Sequence, residues 1–401
     1  MLDRTASPSR VAVVAAVLAC LVAVGSVAYA RQLVEGLRVT GLSRGAPWGL
    51  YIGQLTFLVG VGASAVMVVL PYALHHDTAF AKLTVLGELL SICALVTAML
   101  FVLVDMGQPL RLVNVLLYPT PGSIMFWDFW VIAGYLTVNI VLVASALRSV
   151  HAAAPPPSWY RLLVLASIPL AFAIHTVTAL LFSGLAARPG WLTAILAPRF
   201  LASAFASGPS LLILIAVYLR RTGRLDVGAE VIRKLSIIAT YALVASVFFA
   251  ALEAFTAYYS GLADHTEHFS YLFVGLHGRY ALVPWMWTAG VLSVAALAIL
   301  TNPGARKQER WLVGACLATV LSVWIDKGLC LIVSGFVPDA AGNVVAYRPT
   351  PPEIAVTAAI YSAGALVFGA LCRTYLRVLR SPVAVAARTW PVAEPTRAGA
   401  P

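Results

Sequence analysis

Residues 168–184 read IPLAFAIHTVTALLFSG, and with the apolar residues just before them they form a run that crosses a bilayer as one helix while carrying a single histidine, His175. At ~1.5 Å per residue, roughly 20 apolar residues span a hydrocarbon core of about 30 Å. An ionisable group at that depth is costly, so His175 is a functional candidate from the outset. Runs of the same kind recur at 11–30, 49–74, 80–104, 125–148, 161–184, 199–219, 233–259, 280–300, 310–334 and 354–375. Hydrophobic residues make up 61% of the 401 positions and charged residues 11%, which leaves more apolar surface than a soluble domain can bury. The chain reads as an all-α polytopic membrane protein of about ten transmembrane helices. Residues 1–380 form one membrane domain, and 381–401 a polar cytoplasmic tail expected to be disordered.

The net charge of +11 does not point to nucleic acid, because the bases are not gathered in a soluble module. They report topology instead. With the N-terminus inside, eighteen of the 27 Lys and Arg flank the inner ends of the spans; eight flank the outer ends, Arg111, Arg188 and Arg199 among them, and Lys327 lies within a span. Both termini are therefore expected in the cytoplasm. Arg4 and Arg10 ahead of an apolar run ending Ala28, Tyr29, Ala30 also resemble a cleavable signal, but the length of the run favours a retained span. Cleavage would leave every later helix oriented as before.

Cys20, Cys93, Cys316, Cys330 and Cys372 stand singly, with no C-x-x-C among them. The chain therefore has no recognised spacing for an iron–sulfur cluster or a c-type haem, and electrons it handles pass to a partner. No metal site is expected. His265, Glu267 and His268 resemble a ligand cluster, but they fall in a loop expected to be solvated. The longer loops, 105–124, 185–198, 260–279 and 335–353, all lie on the outer side. Trp191–Ala197 is expected as a short interfacial helix and Asn343–Tyr347 as a small strand.

Polar groups inside the spans gather toward the outer leaflet. His175 lies nine residues before Gly184, roughly 14 Å below the outer end of its helix, and Glu253 six residues before Tyr259, roughly 9 Å below. Asp128 opens the fourth span, and Asp326 with Lys327 sits in the outer half of the ninth. Consecutive helical residues point about 100° apart, so Asp326 and Lys327 each pair with another helix rather than with one another. Helical spacing puts Asp128, Tyr135 and Asn139 on one face, Ser246, Glu253, Thr256 and Ser260 on another, and His175 with Thr178 on a third. Pro169 frees a carbonyl in the histidine-bearing helix, and Gly60 and Ser64 suit close helix packing. Glu88, alone in the inner half of the third span, is expected to bond a neighbouring helix.

A quinone carries two carbonyls that become hydroxyls on reduction, so its site needs hydrogen-bond partners that also give or take protons. Histidine and a desolvated carboxylate meet that need, and apolar spans accept an isoprenoid tail. Haem b is the rival for a membrane histidine, but His175 has only His277 as a plausible second axial ligand, so haem b is not favoured. A secondary transporter would place broken helices and its polar site near the midplane, whereas this layer is displaced outward.

The stretches PWGLYIGQLTFLVGVGASA (47–65), DMGQPLR (105–111), PGSIMFWDFW (121–130) and IHTVTALLFSGLAARPGWLTAILAPRFLASAFASGP (174–209) resemble the NrfD/polysulfide-reductase membrane-subunit family. WIDKGLCLIVSGFVPDAAGNVVAYRPTPPE (324–353) is similar to its ten-span branch, typified by the DsrP subunit of the DsrMKJOP sulfur-metabolism complex. The resemblance covers most of the chain. It implies two four-helix bundles plus two extra helices in a bacterial inner membrane, and an outer-face site for menaquinone or ubiquinone. It also implies docking to a periplasmic iron–sulfur subunit, with a multihaem cytochrome c and a second membrane subunit in the same complex. On matching positions His175, Asp128, Asp105 and Glu253 become quinone and proton residues, and Trp48, Tyr51 and Gln54 line the pocket mouth. Asp105 and Arg111 lie at the membrane interface, where they are expected to fold the loop, with a part in cofactor binding as the alternative. Polysulfide reductase, tetrathionate reductase and alternative complex III subunits are the related alternatives.

Overall fold

The helix Leu50–Ala73 takes a central position because it lacks bulk at the points where other backbones cross it. The computed structural model describes residues 8–338, 344 and 347–381. A Cβ placed on Gly53 would meet Gly328 O at 2.2 Å, and one on Gly208 would meet Ser64 Oγ at 1.7 Å. Helices in lipid associate by such close packing, since burial from lipid gives no hydrophobic driving force. Every residue from Leu50 to Ala63 is buried, and the helix breaks at Ser64 and Ala65 before resuming at Val66.

Among the described residues ten helices are long and apolar enough to cross a membrane. They are α1 (Pro8–Glu35), α2 (Leu50–Ala73), α3 (Thr78–Asp105), α4 (Ile124–Ala152), α5 (Trp159–Ser183), α6 (Leu196–Arg221), α7 (Ala229–Ser260), α8 (Val283–Thr301), α9 (Glu309–Ser334) and α10 (Pro351–Leu379). Helices α2–α5 pack as one four-helix bundle and α6–α9 as a second; α2 and α5 meet α6, and α2 also meets the last third of α9. Helices α1 and α10 pair with each other, and α10 lies along α3. This is the expected arrangement of two bundles plus two extra helices.

Within α9 the α-helical ladder of Glu309–Val323 gives way to a π-helical segment, Trp324–Leu331. A π segment spreads its hydrogen bonds over i→i+5 and is uncommon outside functional positions. Here it turns Lys327 and Gly328 toward the first bundle. The segments 36–49, 106–123, 184–195 and 261–282 lie at one end of the bundles, called here the loop-rich end. One apolar core, with Tyr51, Phe101, Phe182, Trp191, Phe200 and Phe336, packs toward that end, and a second, with Leu83, Leu86, Leu212, Ile213, Leu235 and Tyr375, toward the other.

Three local expectations change. Trp191 is not in an interfacial helix: residues 184–195 are turns, and its ring is fully buried against Trp48, Phe182 and Phe336, with Nε1 donating to Leu331 O at 2.9 Å. The loop after α7 contains a helix, Ala263–Phe273, whose His268, Phe269, Tyr271 and Leu272 are buried. Three of the five positions of the strand expected at Asn343–Tyr347 lie outside the described residues, as does the whole tail from 382.

Helix α10 starts in a capping box between Thr350 and Glu353. The fully buried Glu353 carboxylate accepts from Thr350 N at 2.8 Å, Gly41 N at 2.7 Å and Tyr347 Oη at 2.8 Å, while Tyr347 Oη accepts from Leu50 N at 2.8 Å. A buried carboxylate with this many donors at a helix N-terminus is well satisfied, and it ties the α1–α2 connection to α10.

Candidate functional site

His175 sits on the face of α5 that meets α2 and α6, and its side chain is completely buried. Gly60 of α2 leaves it room: a Cβ there would stand 3.2 Å from His175 Cε1. The ring is tilted against that of Phe200 at 5.3 Å. Its Nε2 lies 2.8 Å from Phe200 O and 2.9 Å from Lys327 Nζ, and Lys327 Nζ lies 2.9 Å from the same carbonyl. Lys327 Nζ also stands 4.3 Å from the centroid of the Phe200 ring, a cation–π position. The other imidazole nitrogen, Nδ1, is buried with no hydrogen-bond partner. A buried unpaired polar atom costs about 1–3 kcal/mol, and such an atom in a membrane core marks a place for a ligand.

One residue away on each helix a second cluster forms. Arg199, the neighbour of Phe200 on α6, donates Nη1 to Glu253 Oε2 on α7 and Nη2 to Asp326 Oδ1 on α9, the latter at 2.7 Å. All three side chains are largely buried, Asp326 being the most open at 23% exposed. One guanidinium holding two carboxylates from different helices satisfies both acids through planar, charge-assisted bonds. Glu253 is therefore an ion-paired acid, not a lone one. Its expected stripe does not hold: Thr256 and Ser260 are exposed, Thr256 bonding back to Leu252 O and Ser260 to Ala257 O. The cause is that α7 lies at the rim of the second bundle and turns only a narrow face inward.

Asp128 joins the histidine through α5. Thr178, one turn from His175, donates to Asp128 Oδ1 at 2.6 Å while remaining close to Ile174 O at 2.8 Å. The expected facial sharing of His175 with Thr178 is observed, and Asp128 is buried beside them.

The remaining candidates stand in other networks. Gln54 is saturated: Nε2 donates to Gly328 O at 2.8 Å, and Oε1 accepts from Trp324 Nε1 and Tyr361 Oη, each at 2.7 Å. Its role is to lock α2 to the π segment of α9 and to α10. Tyr51 Oη donates to Gln32 Oε1 at 2.9 Å, whose Nε2 donates to Val104 O at 2.6 Å, so it ties α1 to α2 and α3. Trp48 packs in the Trp191 and Phe336 cluster. Asp105 has a buried Oδ1 without a partner and lies within electrostatic reach of Tyr51 and Glu353. Arg111 is exposed on the turn Pro109–Val113 and makes no described contact with Asp105, so the two do not act as a pair.

His277 lies on the exposed turn that joins Leu276 to Arg279, and His175 Nε2 is already engaged, so the two histidines do not face each other as axial ligands. His268 turns inward and bonds Ser334 O at 3.0 Å through Nδ1, beside Gly190. Burial pushes its imidazole down to about 4, with Arg199 and His265 adding repulsion against the backbone bonds that raise it. Glu88, expected to bond a neighbouring helix, is buried with both carboxylate oxygens unpartnered.

Sequence reading located His175, Asp128, Glu253, Asp326 and Lys327, and the structure shows how they connect. It missed Arg199, which stands at the start of a span and reads as a flanking base. Its signal was its place beside Phe200 in a helix whose next residues are small.

A family described as Polysulphide reductase, NrfD, matches residues 38–337. A candidate membrane subunit of dimethyl sulfoxide reductase from Halobacterium salinarum is 27% identical over 91% of this chain and 91% of its own length. A selenate reductase subunit from Mesobacillus selenatarsenatis is 22% identical over 83% and 84%, respectively. An Hdr-like menaquinol oxidoreductase integral membrane subunit from Archaeoglobus fulgidus is 20% identical over 83% and 85%.

Proposed function

Since the chain belongs to the NrfD polysulphide reductase family, we propose that it is the quinone-interacting membrane subunit of an oxidoreductase complex. The observation that carries this reading is the unpartnered, fully buried Nδ1 of His175 beside the Asp128–Thr178 pair. A neutral imidazole offers Nδ1 as donor to a quinone carbonyl in one tautomer and as acceptor from a hydroquinone hydroxyl in the other. Asp128 holds a second position for a proton close by. The quinone class extends from the Archaeoglobus relative, whose name includes menaquinol; ubiquinone is the alternative.

The electrons leave or arrive through another protein. The relatives are named as subunits of dimethyl sulfoxide reductase, selenate reductase and a menaquinol oxidoreductase, which supports a partner that carries the redox centres. We assign that partner to the periplasmic side as an iron–sulfur subunit, because the polar layer lies toward the loop-rich end, which the charge distribution puts outside. The DsrP-type reading, which rests on the resemblance of 324–353, adds a multihaem cytochrome c and a second membrane protein to the same complex.

His175→Ala tests the quinone site. The variant complex is expected to assemble and to lose quinone-coupled electron transfer by at least about a hundredfold, the scale of a lost proton-transfer group. Wild-type turnover in an assembled variant would overturn the reading.

A further inference from the structure

We infer that Lys327 is the proton acceptor behind His175, so that the imidazole passes a proton from the quinone side at Nδ1 through to Nζ at the interface between the bundles. This rests on the quinone reading above. Three atoms, His175 Nε2, Lys327 Nζ and Phe200 O, each lie within 2.8–2.9 Å of the other two. A neutral imidazole carries one proton on its two nitrogens. With Nε2 protonated, Nδ1 is bare and Lys327 accepts as an amine. With Nδ1 protonated, Nε2 is bare and accepts from Lys327 as an ammonium. Phe200 O has a donor in both states.

The relay follows from those two states. Nδ1 takes a proton as the O–H bond of a bound hydroquinone breaks; the Nε2–H bond breaks, and a bond to Nζ forms. The imidazole is neutral before and after, one proton moves from the substrate to Lys327, and no electron moves in this step. The reverse order serves quinone reduction.

Lys327 suits this because nothing ionic fixes its charge. Among the described residues its hydrogen-bond partners are His175 Nε2 and Phe200 O, both uncharged. The charged groups facing it are Asp326, Arg199 and, through Arg199, Glu253, and both carboxylates are committed to the guanidinium. A lysine kept only for stability in a membrane core would pair with an acid. The π-helical segment supports the same conclusion: it sends Asp326 to Arg199 and Lys327 to His175 from consecutive positions. Asp326, 23% exposed, is the neighbouring carboxylate on the same helix and the most open of the buried charged side chains in this layer.

The structural alternative is that Lys327 only braces α9 against Phe200 O. Lys327→Arg separates the two, because arginine keeps the charge and the donors but does not give up its proton. In the intact complex, with a soluble dimethylnaphthoquinol as substrate, the relay requires Lys327→Met and Lys327→Arg both to lower kcat about a hundredfold with KM within threefold. Lys327→Ala should then be rescued by ethylamine, with a rescue rate that tracks the basicity of the added amine. Recovery of wild-type kcat in Lys327→Arg, or failure of both variants to assemble, overturns the relay in favour of a brace. If His175→Ala abolishes turnover while Lys327→Met keeps it, the relay fails and the quinone site stands. If His175→Ala turns over normally, the quinone site itself fails.

Discussion

Lys327 Nζ lies 2.9 Å from His175 Nε2, joining α9 of the second bundle to α5 of the first deep in the interface between them. Two basic side chains in contact, both buried and with no acid between them, are not a stabilising pair in their own right. Their contact puts the residues of the proposed site at the interface between the bundles, while the two large buried clusters on either side are apolar packing.

The Arg199 bridge is the part of this layer whose loss should be most destructive. Arg199→Met leaves Glu253 and Asp326 largely buried without their cation, a situation that costs about 3–5 kcal/mol. The variant is expected to melt well below the wild type in detergent. Adding Glu253→Gln and Asp326→Asn to Arg199→Met should recover most of that loss, since no buried charge is then left unpaired. A triple variant as unstable as the single one would show that the bridge is packing rather than charge compensation.

Gly53 should not tolerate a methyl group. Its Cβ would fall 2.2 Å from a backbone oxygen, Gly328 O, which has no side chain to move aside. Gly53→Ala is expected to force α2 from α9, break the Gln54 bonds and prevent the bundles from docking, seen as loss of the monodisperse protein in size-exclusion chromatography. Gly134→Ala, where nothing lies within 4 Å, is the control and should behave as wild type.

Glu353 should matter for stability and not for chemistry. Glu353→Gln weakens a carboxylate that takes several donors and the α10 N-terminus, and should destabilise by about 1–3 kcal/mol. Quinone-linked turnover per assembled complex should be unchanged. A kcat effect with unchanged melting would move Glu353 from the fold to the site.

Acid should loosen the loop-rich end through His268. Its folded value is about 4, against about 6.5 when unfolded, so the unfolded chain binds the proton first. Stability is full above about pH 6.5 and falls as the pH drops toward 4, by as much as about 3 kcal/mol from this group. Melting curves between pH 7 and pH 4.5 should show the decline, and His268→Asn should flatten it.

The spans were legible because lipid demands long apolar runs and admits few charges, so composition alone marks them. Depth was legible too: the 1.5 Å rise put His175 and Glu253 toward one end. Lateral neighbours were not. That Asp326 and Lys327 turn to different helices was legible from the helical step of about 100°; which helices they reach was not, and the π-helical segment that carries them is not distinguished within WIDKGLCL from an ordinary turn of α-helix. His268 was read as solvated because its loop is rich in polar residues. The spacing of His268, Tyr271 and Leu272 at i, i+3 and i+4 carried the contrary signal of a buried helical face. Trp48, Tyr51 and Gln54 were read as lining the pocket mouth; that their polar atoms and rings are engaged with α1, α9, α10 and the Trp191 cluster was not legible, since sequence does not reveal whether a buried amide still has a free valence.

The site is built on two consecutive pairs, Arg199 with Phe200 and Asp326 with Lys327. In each pair one member serves the carboxylate bridge and the other the histidine. The ionic bridge and the imidazole contacts are thus anchored through single peptide units on α6 and α9, so neither set can be repositioned along its helix without moving the other.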